Sequence, residues 1–354
     1  MRAYGRRKVL ALAAGVLAAA TACTGNSPAE PSKAAATSSA TPSASPTPSA
    51  AEPAVTLDEA AKVFTDLTVT DDTLRAKVDL RDRPATAVDV QGRLAMAVDL
   101  TTGGQTSLTV ASYLAADYAP PRYRWGPPTL YVPKFPTGER APWFSALATR
   151  NGSPALLTFA KSDRWRLSSA AQLLPGQKVP EIELDADGYA TTVAPDDKSV
   201  TISPQFIGPV HASVAETGSA GVTGGLLGAG PYTTEVAEQI ASLREESKLA
   251  GYSYDSIFSA DNYPVYALRT KDGGTLVQYS LSRTTSTKAV TKTAVDDGIP
   301  MPEEARWAID ATVLRRSLKL IETHQYATVV PPLKAPAAAH VIAHDGALTR
   351  ASGQ

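Results

Sequence analysis

The chain has a single cysteine, Cys23, in 354 residues. No intrachain disulfide framework and no thiolate metal cluster can be assembled from one thiol. An excess of either charge is also missing: 34 Lys and Arg stand against 35 Asp and Glu, for a net charge of −1. That balance argues against a nucleic-acid-binding protein, which requires a basic surface. Nor is there an apolar run of the ~20 residues that a membrane-spanning helix needs.

The motifs of common enzyme classes are absent too. There is no Gly-x-Ser-x-Gly elbow, which disfavours an α/β-hydrolase. Lys292-Thr293-Ala294 lacks the Gly of a penicillin-binding-type site. The glycine-rich stretch 218–230 contains no Gly-Lys-Ser/Thr, and Gly228-Ala-Gly230 lacks the third Gly of a dinucleotide fingerprint. His340 and His344 are four apart, but Val341-Ile342, Pro336 and Gly346 favour strand or loop over the helix a zinc pair would need. Asp185-Ala-Asp187-Gly188 places its Gly too early for a calcium loop and reads as a tight turn. These observations name no catalytic residue, no metal ligand and no cofactor.

What is present begins at the amino terminus. Arg2, Arg6, Arg7 and Lys8 precede Val9–Ala22, 14 residues without charge, the layout of an export signal. The Arg6-Arg7 pair leaves the general secretory and twin-arginine routes both open. Ala20-Thr21-Ala22-Cys23 resembles the lipobox of bacterial lipoproteins. The resemblance implies diacylglyceryl transfer to the Cys23 thiol, cleavage after Ala22 and acylation of the new amino terminus. Residues 24–54 follow, 26 of 31 being Ala, Ser, Thr or Pro. Such a segment cannot bury enough apolar surface to offset its chain entropy, so 23–54 is expected to be a lipidated Cys and a disordered tether. Loss of residues 1–22, with four cations and no acid, leaves a mature chain of net charge −5.

From Val55 onward a folded body is expected. Thr56-Leu57-Asp58-Glu59 fits a helix-capping box, and Leu57, Ala60, Ala61 and Phe64 share a helical face. Further helices are predicted at 71–78 and 107–117, then strands at 129–132, 143–149, 155–161 and 164–170. Arg150-Asn151-Gly152 marks a hairpin turn. The second half repeats the order: a helix capped by Thr234 with Val236, Ile240 and Leu243 on one face, then strands at 265–269, 276–281, 317–323, 327–330 and 347–351. Helices followed by antiparallel strands predict an α+β fold of two similar halves, 55–217 and 231–354. Each half would pack helices on a curved antiparallel sheet, an order that resembles the NTF2-like or cystatin-like cone. The Gly-rich 218–230 is expected to be the hinge.

Trp143-Phe144, 156–159, Trp165-Arg166, Leu174-Pro175-Gly176 and 184–190 occur in that order. Together they resemble a family of uncharacterised secreted proteins and lipoproteins of high-GC Gram-positive bacteria, over most of 55–354. The resemblance implies an envelope location and a shared fold, and adds no mechanism. Tyr123, Trp125, Tyr131 and Trp143 lie close in sequence with Arg122 and Arg124 beside them and prolines interleaved. Aromatic rings beside Arg form a candidate recognition surface for a peptide, a glycan or an envelope protein; the same rings could simply fill the concave sheet. Two function classes follow. One is a non-enzymatic binding or scaffold lipoprotein, lipid-anchored on the extracytoplasmic face of the cell membrane. The alternative is an envelope hydrolase whose acids or histidines sequence cannot pair.

Overall fold

The computed structural model describes residues 53–76, 87–135, 138 and 140–354, and only the backbone of 87–89. The export signal, Ala22, Cys23 and the tether lie outside the described residues. Helix α1 (Leu57–Arg75) starts where the capping box puts it, with Thr56 Oγ1 accepting from the Glu59 amide at 3.0 Å. It buries Ala60, Val63 and Phe64, while Ala61 is exposed. The helix expected from 71 begins inside α1, because nothing in Thr70-Asp71-Asp72 breaks the first helix. After α2 (Ala87–Asp99), α3 (Gly104–Ala115) begins three residues before the expected Ser107.

Strands β1 (Thr129–Tyr131), β2 (Trp143–Arg150), β3 (Ser153–Lys161) and β4 (Trp165–Leu173) form an antiparallel block. Asn151 and Gly152 both have positive φ, 54° and 86°, the conformation that a two-residue turn demands. Helices α4 (Pro204–Thr217) and α5 (Thr234–Leu249) follow. Thr234 is the first residue of α5 and makes no capping bond, and Leu243 is exposed, so the buried face is Val236, Ala237 and Ile240. The remaining strands are β5 (Tyr252–Ser259), β6 (Tyr266–Arg269), β7 (Thr275–Ala289), β8 (Ser317–Val330) and β9 (His340–Gly353), with the short helix α6 (Lys292–Asp297) after β7. The two strands expected within 317–330 are one.

Among the described residues these nine strands make one antiparallel sheet, ordered β1-β2-β3-β4-β9-β8-β7-β5, with β6 beside β7. The fold is α+β. The described residues cluster as one compact unit, and the sheet runs across the boundary expected at 218–230. Leu227 from that glycine-rich stretch is buried, and its neighbours exchange backbone bonds with Ala339.

The two strand blocks meet at a narrow seam. β4 and β9 pair only at Gln172↔His344 and Leu173↔Ala343. Where β4 leaves β9, a side chain replaces the missing strand. Gln325 of β8 accepts from the Ala170 amide at 2.9 Å and donates to the Ser168 carbonyl at 3.2 Å. Gln278 of β7 does the same between side chains. It accepts from Thr158 Oγ1 and donates to Ser145 Oγ, both at 2.7 Å. Both glutamines are fully buried, and a buried polar group left unpaired costs about 1–3 kcal/mol. Gln325→Leu strands one backbone amide and one carbonyl, so it is expected to lower the unfolding free energy by about 2–5 kcal/mol. Urea denaturation checks this, and a loss under 1 kcal/mol would show the seam to be held by other contacts.

Candidate functional site

Residues Arg122–Gly126 run as a strap along the end of β2. The Gly126 amide donates to Thr149, the Asn151 amide donates to Arg124, and Asn151 Oδ1 accepts from the Arg124 amide at 2.8 Å. Pro120-Pro121 and Pro127-Pro128 flank this segment and favour extended backbone at both its ends. The strap separates two concavities. An outer groove of about 900 Å³ is lined by Phe64, Val69, Asp72, Arg122, Tyr123, Arg124, Trp125, Pro127 and Pro128. An inner cavity of about 130 Å³ lies between α1 and α3 on one side and β3 and β4 on the other. Thr68, Tyr123 and Trp125 line both.

The inner cavity is apolar at its base, with Leu108, Leu157, Phe159, Leu167 and Ala170. Its rim carries two ion pairs. Arg75 Nε lies 2.7 Å from Asp71 Oδ2, and Arg150 Nη2 lies 2.7 Å from Asp345 Oδ2. Tyr123 sits between the two guanidiniums, 4.3 Å from Arg75 and 5.1 Å from Arg150. Burial raises the Asp71 carboxyl above its ordinary value, opposed by the Arg75 charge. On the groove side, the hydrogen bonds from Arg122 hold Asp72 below the usual carboxylate range. Two residues of the lining, Trp125 and Gln105, each keep one polar atom, Nε1 and Oε1, buried in the surrounding protein with no hydrogen-bond partner.

Four of the six residues proposed from sequence therefore share this site: Arg122, Tyr123, Arg124 and Trp125. The other two do not. Tyr131 and Trp143 pack on the opposite face of the sheet, where the Trp143 ring lies 5.1 Å from Tyr266. The alternation of β2 is the reason: Phe144 faces α1, so Trp143 faces away. Asp71, Arg75, Gln105, Arg150 and Asp345 escaped the sequence reading. Asp345 comes from the far end of the chain, and only its register on β9 brings it to Arg150.

The model of the family "Domain of unknown function (DUF8094)" matches residues 51–353. The chain belongs to that family. It is 29% identical over 314 residues to an uncharacterized lipoprotein of Streptomyces coelicolor, covering 85% of this chain and 83% of the relative. A second uncharacterized lipoprotein, from Streptomyces avermitilis, is 28% identical over 140 residues, 38% of this chain and 40% of that protein. No solved structure matches the chain significantly. No helix among the described residues is long and apolar enough to cross a membrane.

A second polar cluster also escaped the sequence reading. His211 of α4, His324 of β8 and His344 of β9 converge with Tyr232, Tyr279 and Tyr326. His211 lies 2.8 Å from the Tyr279 hydroxyl and 2.6 Å from the Tyr232 carbonyl, and His324 lies 3.0 Å from His344. Gly346 makes room, since a Cβ there would come within 2.5 Å of the His324 ring. Among the described residues no group of three or more His, Cys, Asp or Glu is placed to hold a metal. The pair His340 and His344 lies on strand β9. Desolvation pushes His211 and His344 down to about 4 and His324 to about 3.

These imidazoles stay neutral when folded and take up protons when unfolded. Their contribution to stability is complete above the ordinary imidazole value of ~6.5 and is lost as pH falls towards 4. Half-buried Asp71 and Glu322, both raised by desolvation, act in the opposite sense. The urea midpoint is expected to drop between pH 7 and pH 5, and His324→Phe is expected to shrink that drop. An undiminished drop in the variant would remove His324 as a cause.

Proposed function

We propose that this protein is a lipid-anchored lipoprotein on the extracytoplasmic face of the cell membrane, and that its folded body is a non-enzymatic binding module. The anchor rests on the lipobox-like Ala20-Thr21-Ala22-Cys23 behind a charged leader and on the names of the two Streptomyces relatives. The Ala/Ser/Thr/Pro-rich tether suits this reading, because as a coil it would hold the body roughly 30 Å from its anchor. Two strand blocks, each preceded by helices, support a body built of two similar α+β halves.

The observation that carries the binding role is the groove–cavity pair behind the strap. Its aromatic and proline rim offers broad apolar contact, and Arg124 on the rim is exposed. Sites of this kind, mostly apolar with a few placed polar groups, are the usual form of a ligand pocket. A hydrolase is the second reading, because Asp71 and Asp345 line one cavity and the raised Asp71 suits a general acid. Binding is favoured because each carboxyl is already engaged by a guanidinium, which leaves neither free to act as base or nucleophile.

Two experiments test the proposal. In the full-length chain, Cys23→Ser is expected to release the protein from membranes into the soluble fraction; unchanged membrane association would overturn the anchor. A photo-crosslinking residue at Arg124, in intact cells, is expected to give a discrete adduct that the same residue at exposed Lys319 does not. Equal labelling at both positions would overturn the groove as the binding surface.

A further inference from the structure

Helix α5 ends at Leu249, and a groove of about 590 Å³ remains between its last turns, strands β5, β7 and β8, and the segment 299–304. It shares no lining residue with the outer groove at the strap. Its floor is apolar. Ile299, Leu318 and Leu348 are buried there, and Leu320, Tyr252 and Tyr254 are partly covered. A volume of this order takes a small ligand or a few side chains.

The charges of this groove do not cancel. Glu246 of α5, Glu304 and Glu322 of β8 line it with a single cation, Arg283 of β7, among the described residues. Three carboxyls against one guanidinium leave two negative charges over. Arg283 is also engaged elsewhere. Its Nε donates to Ser256 Oγ at 2.7 Å, its guanidinium lies over the Phe258 ring, and its Nη1 stops 3.6 Å from Glu322 Oε2. His324 Nε2 is 3.9 Å from Glu322 Oε1 but brings no charge, because burial holds that imidazole down at about 3. The neighbouring cations are taken: Lys248 pairs with Glu245 and Arg306 with Glu303. Among the described residues Glu246 and Glu304 make no ion pair. Desolvation raises the Glu322 carboxyl, opposed by Arg283 and reinforced by the Glu304 charge.

An apolar floor beneath unmatched carboxylates suits a cation on an apolar stem. A bare metal ion would leave the floor unused, and no group of three or more His, Cys, Asp or Glu among the described residues is placed to hold one. The three carboxyls come from three separate elements, α5, β8 and the segment 299–304. An ammonium sends three donors in different directions, whereas a guanidinium presents a planar fork suited to one carboxylate edge. Lysine carries that ammonium on a four-carbon stem. A free amine of that size would fill only part of the groove, and the backbone and apolar neighbours of a peptide account for the rest.

We infer that this groove is a docking site for a lysine side chain of a partner polypeptide, its stem on Leu318, Leu320 and Tyr252 and its ammonium paired with Glu304 and Glu322. It is a second interaction surface, independent of the outer groove.

The test is calorimetric titration of the purified full-length protein, with detergent alone as blank. The probe is an acetylated and amidated Leu-Lys-Leu tripeptide. It is compared with the same peptide carrying norleucine, arginine or glutamate at its centre, and with n-butylamine. The lysine peptide is expected to bind at least about tenfold tighter than the norleucine peptide, the scale of one charge-assisted hydrogen bond, and tighter than every other probe. Glu304→Gln and Glu322→Gln are each expected to erode that preference, with the affinity for the norleucine peptide and the far-UV circular dichroism unchanged. Glu304 is exposed, so its variant decides the matter even where Glu322→Gln disturbs the fold. No binding of the lysine peptide, equal affinity for the norleucine or arginine peptide, tighter binding of the glutamate peptide, or indifference to Glu304→Gln would each overturn the inference. Equal affinity for n-butylamine would overturn the peptide as the source and assign the groove to a free amine.

Discussion

Two buried carboxamides bridge the seam between the two strand blocks. The strand blocks share only two register pairs between β4 and β9, and the apolar cluster of Leu156, Ala171, Leu268, Leu276 and Ile342 spans the same seam. Gln325 supplies to β4 the donor and acceptor that a neighbouring strand would have supplied. Gln278 ties β7 to the hydroxyls of Ser145 and Thr158 on β2 and β3. A primary amide has the same donor and acceptor as a peptide unit, so it can continue a ladder where the backbone has turned away. Because these groups are dry, their geometry leaves little freedom.

The site is a consequence of that arrangement. With the blocks held, β9 passes the end of β2 and delivers Asp345 to Arg150. Helices α1 and α3 cover β3 and β4 from the other side, and α1 brings Asp71 and Arg75 to the same opening. The strap at Arg122–Gly126 then closes part of the space and divides groove from cavity. Tyr123 matters most in this division, since it lines both spaces and faces two guanidiniums. The rest of the buried polar network, His211 to His344, lies behind the sheet and acts on stability.

Local signals were readable in the sequence and long-range ones were not. The Thr56 cap and the Asn151-Gly152 turn depend on residues within three positions of each other, and both stand as expected. Helix α4 went unread because Pro204 and Pro209 look like breakers; Pro204 is at the start of the helix, where no amide bond is lost. Strand β7 runs 15 residues, far beyond its apolar stretch at 276–281. Its polar end, rich in Thr and Ser, is strand only because β5 and β8 pair with it on both edges. At the site, the run of Arg and aromatic residues from 122 to 125 was legible as a cluster. Trp143, read with them, faces the other way because one residue of β2 reverses the side chain.

The sequence by itself determined the α+β class, the strap with its aromatic residues, and an amino-terminal segment whose composition reads as signal, lone cysteine and tether. These depend on composition and on neighbours close along the chain. Only the tertiary structure decided that β1–β4 and β5–β9 join one sheet, and that Asp71, Gln105, Arg150 and Asp345 share one cavity. Those contacts span up to 195 residues. They are set by register and by buried hydrogen bonds, which leave no periodic trace in the order of the amino acids.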